Sequence, residues 1–385
     1  MTVLFTWVSV DARTGAVLAD LPDLDTTSSL NAILGQYQTA TVTLPLPTAP
    51  DGWRRATLPG AACVVLLAQK VDSSGNPTGN PIPLWGALIL QRKRGVGDTV
   101  ELSVSTLEVY FDRRYVGDIT FTSTDQNVVV QTLINDFVLD GASGKPGIPI
   151  RVQITGTGPV MTISYADASD KTVYSALTEL MGRNGGPEWT VGWEHQSNPE
   201  RYTPVLYVST RVGNAAQTGL SPAAVFEVPG PLATADLTED FSSSSGATDV
   251  MAVSTASGNV RPQSAHHTSA DTTRPTFEYR YTPSTSIVDT GTLDSHAAAA
   301  LAIMLNGSTA LAITADGESS PILGLDWGIG DDVGFVLGGL DDNGDDTVPG
   351  FPGGLQGTGR AIGWQITPSN TWTIAPIVSG VQIGA

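Results

Sequence analysis

Carboxylates, histidines and tryptophans are the residues here whose types and spacing could do chemistry. Asp331 and Asp332 are adjacent acids of the kind a glycosidase sets across a cleft, one as acid and one as base or nucleophile. They adjoin a candidate strand edge, and nothing around them in sequence outlines a cleft. The run Asp341-Asp342-Asn343-Gly344-Asp345-Asp346 gathers oxygen ligands as calcium loops do. A helix–loop–helix calcium site wants glycine at its sixth position and a distal glutamate. Here the glycine is fourth from Asp341 and no glutamate follows, so a hairpin tip explains the same composition. Four histidines occur, at 195, 266, 267 and 296. The pair His266-His267 would need further rigid ligands to hold a metal, and it reads as a solvated polar loop. Glu194-His195 ends a strand and reads as a surface pair. Trp189 and Trp193 lie four apart on one face of a strand and could stack on a sugar, or pack a hairpin against helices. Cys63 is the only cysteine and sits in the apolar run Cys63-Val64-Val65-Leu66-Leu67, where a buried, inert thiol is expected. No phosphate-binding loop, nucleophile elbow or metalloprotease signature is present. The expectation is a chain that is not an enzyme, with no catalytic, cofactor-binding or metal residues and no cofactor.

Bulk composition narrows the partners. The 385 residues carry 38 acidic and 19 basic side chains, a net charge of −19. Duplex DNA is held by lysine and arginine displacing condensed counterions, so stable nucleic-acid binding is not expected. No apolar run approaches membrane-spanning length and the N-terminal Met1-Thr2-Val3-Leu4-Phe5 has no basic leader, so membrane insertion is not expected either. With 42 glycines, 25 prolines and only 15% charged residues, short strands joined by frequent turns are the expected texture.

The elements that must position these residues fall into three sections. Residues 3–10, 16–18, 38–46, 62–70, 84–91 and 99–106 read as strands separated by turn residues, an antiparallel barrel or sandwich. From about 117 the period changes. Thr124-Asp125 caps a helix carrying Val129, Leu133, Ile134, Phe137 and Val138, and a second helix starts near Ser169-Asp170 and stops at Gly182. A hairpin follows, 188–193 against 205–208. The Ser-rich stretch Phe241-Ser242-Ser243-Ser244-Ser245-Gly246 is a loop. Asp294 or Ser295 is expected to cap a helix from His296 to Leu305, ended by Asn306-Gly307, before strands at 331–338, 360–366 and 371–378. The fold class is mainly β with some α (α+β). The division is a barrel at 1–116, an α+β module at 117–222, and a second barrel with a flanking helix at 223–385.

The first and last sections echo one another. Leu58-Pro59-Gly60-Ala61-Ala62-Cys63-Val64-Val65-Leu66 parallels Gly328-Ile329-Gly330-Asp331-Asp332-Val333-Gly334-Phe335-Val336. Each is followed by a turn rich in Asp, Gly and Asn, then a strand, then a hairpin partner at Val100-Glu101-Leu102 or Trp372-Thr373-Ile374. One barrel used twice would give this order.

The run Leu107-Glu108-Val109-Tyr110-Phe111-Asp112-Arg113-Arg114-Tyr115-Val116 resembles a segment of minor tail proteins of phages that infect actinobacteria. Thr14-Gly15-Ala16-Val17-Leu18-Ala19-Asp20-Leu21-Pro22 is similar to the start of that family. Gly324-Leu325-Asp326-Trp327-Gly328-Ile329-Gly330-Asp331-Asp332-Val333, with Gly359-Arg360-Ala361-Ile362-Gly363-Trp364, resembles its second barrel. The likeness is scattered over nearly the whole chain as order and spacing. The family resembles the hub proteins of contractile-tail baseplates, and the resemblance implies two tube-type barrels per chain and a homotrimeric, pseudo-sixfold ring at the distal tail tip of the virion. It implies as partners a distal tail or tail tube protein, a tape measure protein, and receptor-binding or other tail-tip proteins. It also implies a role in genome ejection and host attachment. The alternatives are a carbohydrate-binding receptor protein of the tip that uses Trp189 and Trp193, or a glycoside hydrolase.

Overall fold

Alternating β-branched and apolar residues build the first sheet from eight strands' worth of chain, one of which leaves it. In the computed structural model, residues 2–383 are described apart from 27, 73, 184, 217–221, 231, 244, 256–260, 271–272, 283–286, 288, 320 and 369–371. Ser73, Ser244 and residue 371, which fall in expected turns and a strand, lie outside the described residues. Strands β1 (Thr2–Asp11), β2 (Val17–Asp20), β3 (Asp25–Thr26), β4 (Leu30–Ile33), β5 (Thr39–Pro45), β6 (Ala62–Val71), β7 (Pro77–Arg94) and β8 (Thr99–Thr106) are joined with one short helix, α1 (Trp53–Ala56). Seven of the strands make a sheet in the order β2-β1-β6-β7-β8-β5-β3. β6 is buried continuously from Ala62 to Ala68 because it is central and covered on both faces. The exception is β4, which pairs through Leu30–Ile33 with a strand near the C-terminus.

The middle section supplies β9 (Ile119–Asp125), α2 (Gln126–Phe137), β10 (Arg151–Thr155), β11 (Val160–Tyr165), α3 (Val173–Met181), β12 (Glu188–Ser197) and β13 (Glu200–Ser209). The expected cap of α2 is in place, with the Asp125 carboxylate accepting from the Asn127 amide at 2.8 Å. α3 starts later than the sequence reading. Asp170 takes a left-handed φ of 48°, which ends a turn, and Thr172 caps the helix by accepting from Ser175. α2 packs on β9, β10 and β13, and α3 on the turn Leu107–Arg113 and on Trp189 of β12, whose indole donates to the Leu177 carbonyl at 3.4 Å. One continuous core joins Val8, Cys63 and Val65 of the first section to Leu133, Leu177 and Trp189 of the middle one.

A second sheet follows, from β14 (Ala224–Val228), β15 (Leu232–Asp240), β19, β20, β21 and β22, once β16 (Asp249–Ala252), β17 (His267–Thr268) and β18 (Glu278–Tyr281) and the helix α4 (Thr290–Met304) have intervened. With β19 (Ser308–Asp316), β20 (Asp332–Leu337), β21 (Leu355–Thr367) and β22 (Thr373–Ile383) in place, the order is β14-β20-β21-β22-β19-β15, and β4 lies on β21. The chain divides into two compact units, Met1–Ala235 with Ala312–Ala385, and Asp236–Leu311. The smaller unit has its own core, in which Leu293 and Ala297 of α4 meet Val250 and Ala252 of β16. α4 begins at Thr290, earlier than expected. Asp289, not Asp294 or Ser295, is its cap and accepts from the Thr292 amide at 2.7 Å. The polar first turn Thr290-Gly291-Thr292 carries no apolar stripe, which is why periodicity missed it.

The class is mainly β with some α, 49% strand against 15% helix among the described residues. The first sheet's path ends at β2 and β3, which do not pair with each other among the described residues.

The echo between first and last sections is reproduced in hydrogen bonds. β6-β7-β8 and β20-β21-β22 are both antiparallel meanders. In each, a left-handed glycine ahead of the first strand donates to the second strand: Gly60 to the Ile89 carbonyl at 2.7 Å, Gly330 to the Ala361 carbonyl at 2.6 Å. Immediately after the accepting residue the second strand slips register against the third, between Ile89 and Gln91 and between Ala361 and Gly363.

Candidate functional site: a junction clamp and groove

The acids that could have been catalytic are consumed in holding the first unit together. Asp331 and Asp332 stand at the start of β20, facing the chain that leaves β13. Asp331 Oδ1 accepts from the backbone and side-chain amides of Asn214 at 2.6 and 3.1 Å, and its Oδ2 from Gly328 at 2.8 Å. Asp332 accepts from Arg211 Nη2 at 2.6 Å and from the Ala216 amide at 2.7 Å. Every oxygen of the two carboxylates is thus engaged in holding a loop to a strand.

Beside them, Glu188 at the head of β12 meets Arg360 of β21. The guanidinium spans the carboxylate, Nη1 donating to Oε1 at 2.7 Å and Nη2 to Oε2, and it also donates to the carbonyls of Val212 and Gly330 at 2.8 and 3.1 Å. Glu188 Oε2 accepts the Val212 amide at 2.8 Å as well. Burial pushes the Glu188 carboxyl up, but the bonds from Arg360 and Val212 outweigh it and hold it below the usual carboxylate range. The hydrogen bond to Glu188 correspondingly raises Arg360 above the ordinary arginine value. This two-point clamp fastens the middle section to the second sheet.

Next to the clamp a groove of about 600 Å³ runs between β7, the β12–β13 face and the loop before β20, with Leu84, Tyr207, Arg211 and Trp364 among its walls. Gly324, with φ of +82°, lets that loop approach β7, for a Cβ there would lie 2.4 Å from Leu84. Nη1 of Arg211 is buried without a hydrogen-bond partner among the described residues. The walls bring together no acid–base pair.

The other candidates are placed apart. Trp189 is wholly buried against Phe111 and Tyr174 and leaves no ring face for a sugar. Trp193 packs on Gly86, where a Cβ would fall 2.2 Å from its ring. Asp341 folds onto its own turn, accepting from the amides of Asn343 and Asp345 at 2.8 and 2.9 Å. His195 stacks on Tyr202 at 4.8 Å. His267 lies in β17 rather than in a loop, and the two neighbouring rings approach different acids. His266 is 2.8 Å from Asp249, and His267 is 3.5 Å from Asp294. Among the described residues no group of three or more His, Cys, Asp or Glu side chains converges as a metal site. Burial pushes the Cys63 thiol up to about 12, with Asp11 adding to it, which leaves it un-ionised and unreactive.

Two features went unseen in the sequence. The clamp was signalled only by a lone charge, Arg360, inside a Gly- and Ala-rich strand. Glu108 sits in the apolar turn Leu107–Arg113, and burial raises its carboxyl to about 7 against lowering contacts from Thr106 and the Val191 backbone. Its Oε2 has no hydrogen-bond partner among the described residues.

This is a mainly β architecture built on a repeated meander, and among the described residues the candidate acids and histidines do not converge on one centre. No protein-family model and no curated protein sequence matches the chain. Solved structures similar to it include the tail protein from Neisseria meningitidis MC58, 14% identical, with 97% of this chain and 91% of that chain covered at a TM-score of 0.46. Another is the 43 kDa tail protein of prophage MuSo2 from Shewanella oneidensis, 10% identical over 97% and 93% at 0.47. In the Francisella PdpA–VgrG complex in its half-lidded form, one chain is 8% identical and matches 98% of this chain at a TM-score of 0.51. This chain spans 57% of that one, and the likeness is one of fold.

Proposed function

We propose that the protein is a structural component of a bacteriophage tail tip that assembles head to tail into a closed ring, most simply a trimer with pseudo-sixfold symmetry. The observation that carries this reading is the duplicated meander. Two near-equivalent sheets in one chain provide the matching faces from which a heterologous contact can close on itself. The fold shared with a chain of the PdpA–VgrG complex supports it. The sections 1–116, 117–222 and 223–385 would be its assembly modules, each sheet completing a tube-type barrel in the ring. A tail tube or distal tail protein would meet one side of the ring. A tape measure protein and receptor-binding or other tip proteins would meet the other. A lumen drawn from a chain of net charge −19 would let DNA slide past without binding.

Native mass spectrometry and negative-stain microscopy of the purified chain test the ring, and immunogold labelling of phage particles from the source lysate tests the address. Ring-shaped trimers and label confined to the distal tail tip are expected. A chain that stays monomeric at every concentration, with unlabelled particles, overturns the reading.

A further inference from the structure

The internal repeat leaves one strand edge empty that its counterpart fills. β21 is longer than β20. Beyond the bulge, its residues Gly363–Ile366 pair with β4, which comes from the first section. Trp364 lies opposite Pro376 of β22, and since proline offers no N–H, the backbone groups of Trp364 face β4. Counting from the two bulges, Gln91, Arg92, Lys93 and Arg94 of β7 are the equivalents of Gly363, Trp364, Gln365 and Ile366. β7 likewise outruns its neighbour, because β6 reaches only Leu88 in the ladder. Along Gln91–Arg94 one side is paired to β8, and the other has no backbone partner among the described residues. Ile89 turns its carbonyl to that open side, where Gly60 takes it, so Arg92 and Arg94 present their backbone groups there too. Gly363, Trp364 and Ile366 are buried, whereas Gln91, Lys93 and Arg94 are exposed.

We infer that the Gln91–Arg94 edge of β7 is a docking edge for a second copy of this chain, occupied by its Asp236–Leu311 unit. Two observations select that occupant. In the first repeat, β4 stands in the chain between the outermost strand of its sheet, β3, and β5. In the second repeat, the same place between the outermost strand β15 and β19 is taken by residues 241–307, the body of the 236–311 unit, whose ends run into those two strands. If the repeats are used equivalently around a ring, what β4 does for β21 within a chain, that unit does for β7 of the next. Charge agrees. Arg92, Lys93 and Arg94 form a basic run in an acidic chain, although Arg92 also donates to the Arg54 carbonyl at 2.6 Å and Lys93 lies 3.7 Å from Glu101. The 236–311 unit holds eight acidic residues, three of them in β15, and three arginines, a balance of −5. Backbone pairing at an exposed strand edge supplies the attraction and the charges supply the register.

The inference rests on the ring reading above, and the test separates the two. Full-length protein is assembled at high concentration and compared with dilute monomer by hydrogen–deuterium exchange. A carbodiimide cross-link between isotopically distinct copies locates the carboxylates next to Lys93. Slowed exchange of the Arg92 and Arg94 amides on assembly is expected, together with intermolecular cross-links from Lys93 into 236–311. Arg94→Pro removes an amide that β8 does not use, and Lys93→Glu with Arg94→Glu reverses exposed charges. Each is expected to weaken association at least tenfold while leaving the monomer's circular dichroism unchanged. Wild-type assemblies whose Arg92 and Arg94 amides exchange as in the monomer, or variants that assemble like wild type, overturn the edge and leave the ring standing. Cross-links from Lys93 to another region overturn the occupant. A wild-type chain that never assembles overturns both.

Discussion

The two meanders share a blueprint and stabilise it by different physics. At the position before the glycine-accepting residue of the second strand, the first repeat has Leu88 and the second has Arg360. Leu88 disappears into the core shared with the middle section. Arg360 instead reaches sideways to Glu188 and two carbonyls. The first sheet is therefore joined to its neighbour by apolar area, which tolerates small shifts. The second is joined by a clamp whose geometry admits one register. The lesson is that a duplicated scaffold can keep its backbone hydrogen bonds while each copy adapts the same side-chain position to a different neighbour.

Cutting the clamp should give the largest effect. Arg360→Leu makes the second repeat imitate the first but strands the Glu188 carboxylate in a half-buried site. A loss of about 3 kcal/mol in unfolding free energy is expected from the unpaired charge. Adding Glu188→Gln removes that charge and should recover most of the loss. A double-mutant cycle by denaturant unfolding measures the coupling, and additive effects of the two changes would show the clamp to be a surface ornament.

Glu108 is the mirror case, a buried carboxyl without an ionic partner among the described residues, pushed up to about 7 where Glu188 is pulled down. Unfolded, a glutamate titrates near 4.5, so between that value and 7 the folded chain keeps a proton that the unfolded chain has lost. Stability attributable to Glu108 is thus full below the unfolded value and falls as pH rises through the window, by about 3 kcal/mol at most. Glu108→Gln should flatten this slope and raise Tm at pH 8 more than at pH 5. An equal change at both values would mean the carboxyl is already ionised in the fold.

Much of the architecture was legible, because strands and turns are written locally. The runs 3–10, 38–46, 62–70 and 99–106 alternate or bury as strands must, and Asp125 announces α2 by its cap chemistry. The likeness of two segments sharing few identities was also visible, through glycines and aspartates that backbone geometry demands. What stayed hidden is long-range. Nothing local distinguishes Leu30–Ile33 as a strand that leaves its own sheet for β21. Glu188 and Arg360 are 172 positions apart, and only folding makes them a pair. The candidate sites misled for the converse reason. Asp341 and its neighbours have the composition of a calcium loop, yet a tight turn selects the same residues for its own amides.

Those turns give the smallest and most discriminating comparison. In the first repeat, Asp72 Oδ1 accepts the Ser74 and Asn76 amides at 2.8 and 2.9 Å, and the Gly75 amide returns to the Asp72 carbonyl at 3.0 Å. In the second, Asp341 Oδ1 accepts those of Asn343 and Asp345 at 2.8 and 2.9 Å, and Gly344 returns to Asp341 at 3.0 Å. Both glycines are left-handed, at φ of 82° and 85°, in open space. Gly75→Ala and Gly344→Ala therefore meet no clash and should each cost about 1 kcal/mol from backbone conformation alone. The two costs should match, since the hydrogen bonds around them match. Bonds from the turn amides hold both aspartates below the usual carboxylate range, so this support is present above it and is lost as acid protonates them. Asp72→Ala and Asp341→Ala should each flatten a small acid-side decline in Tm. Calcium added to the wild type should leave Tm unchanged, because Asp341 already spends Oδ1 on its own amides. A calcium-dependent rise abolished by Asp341→Ala and not by Asp72→Ala would break the equivalence and make the second turn a binding loop.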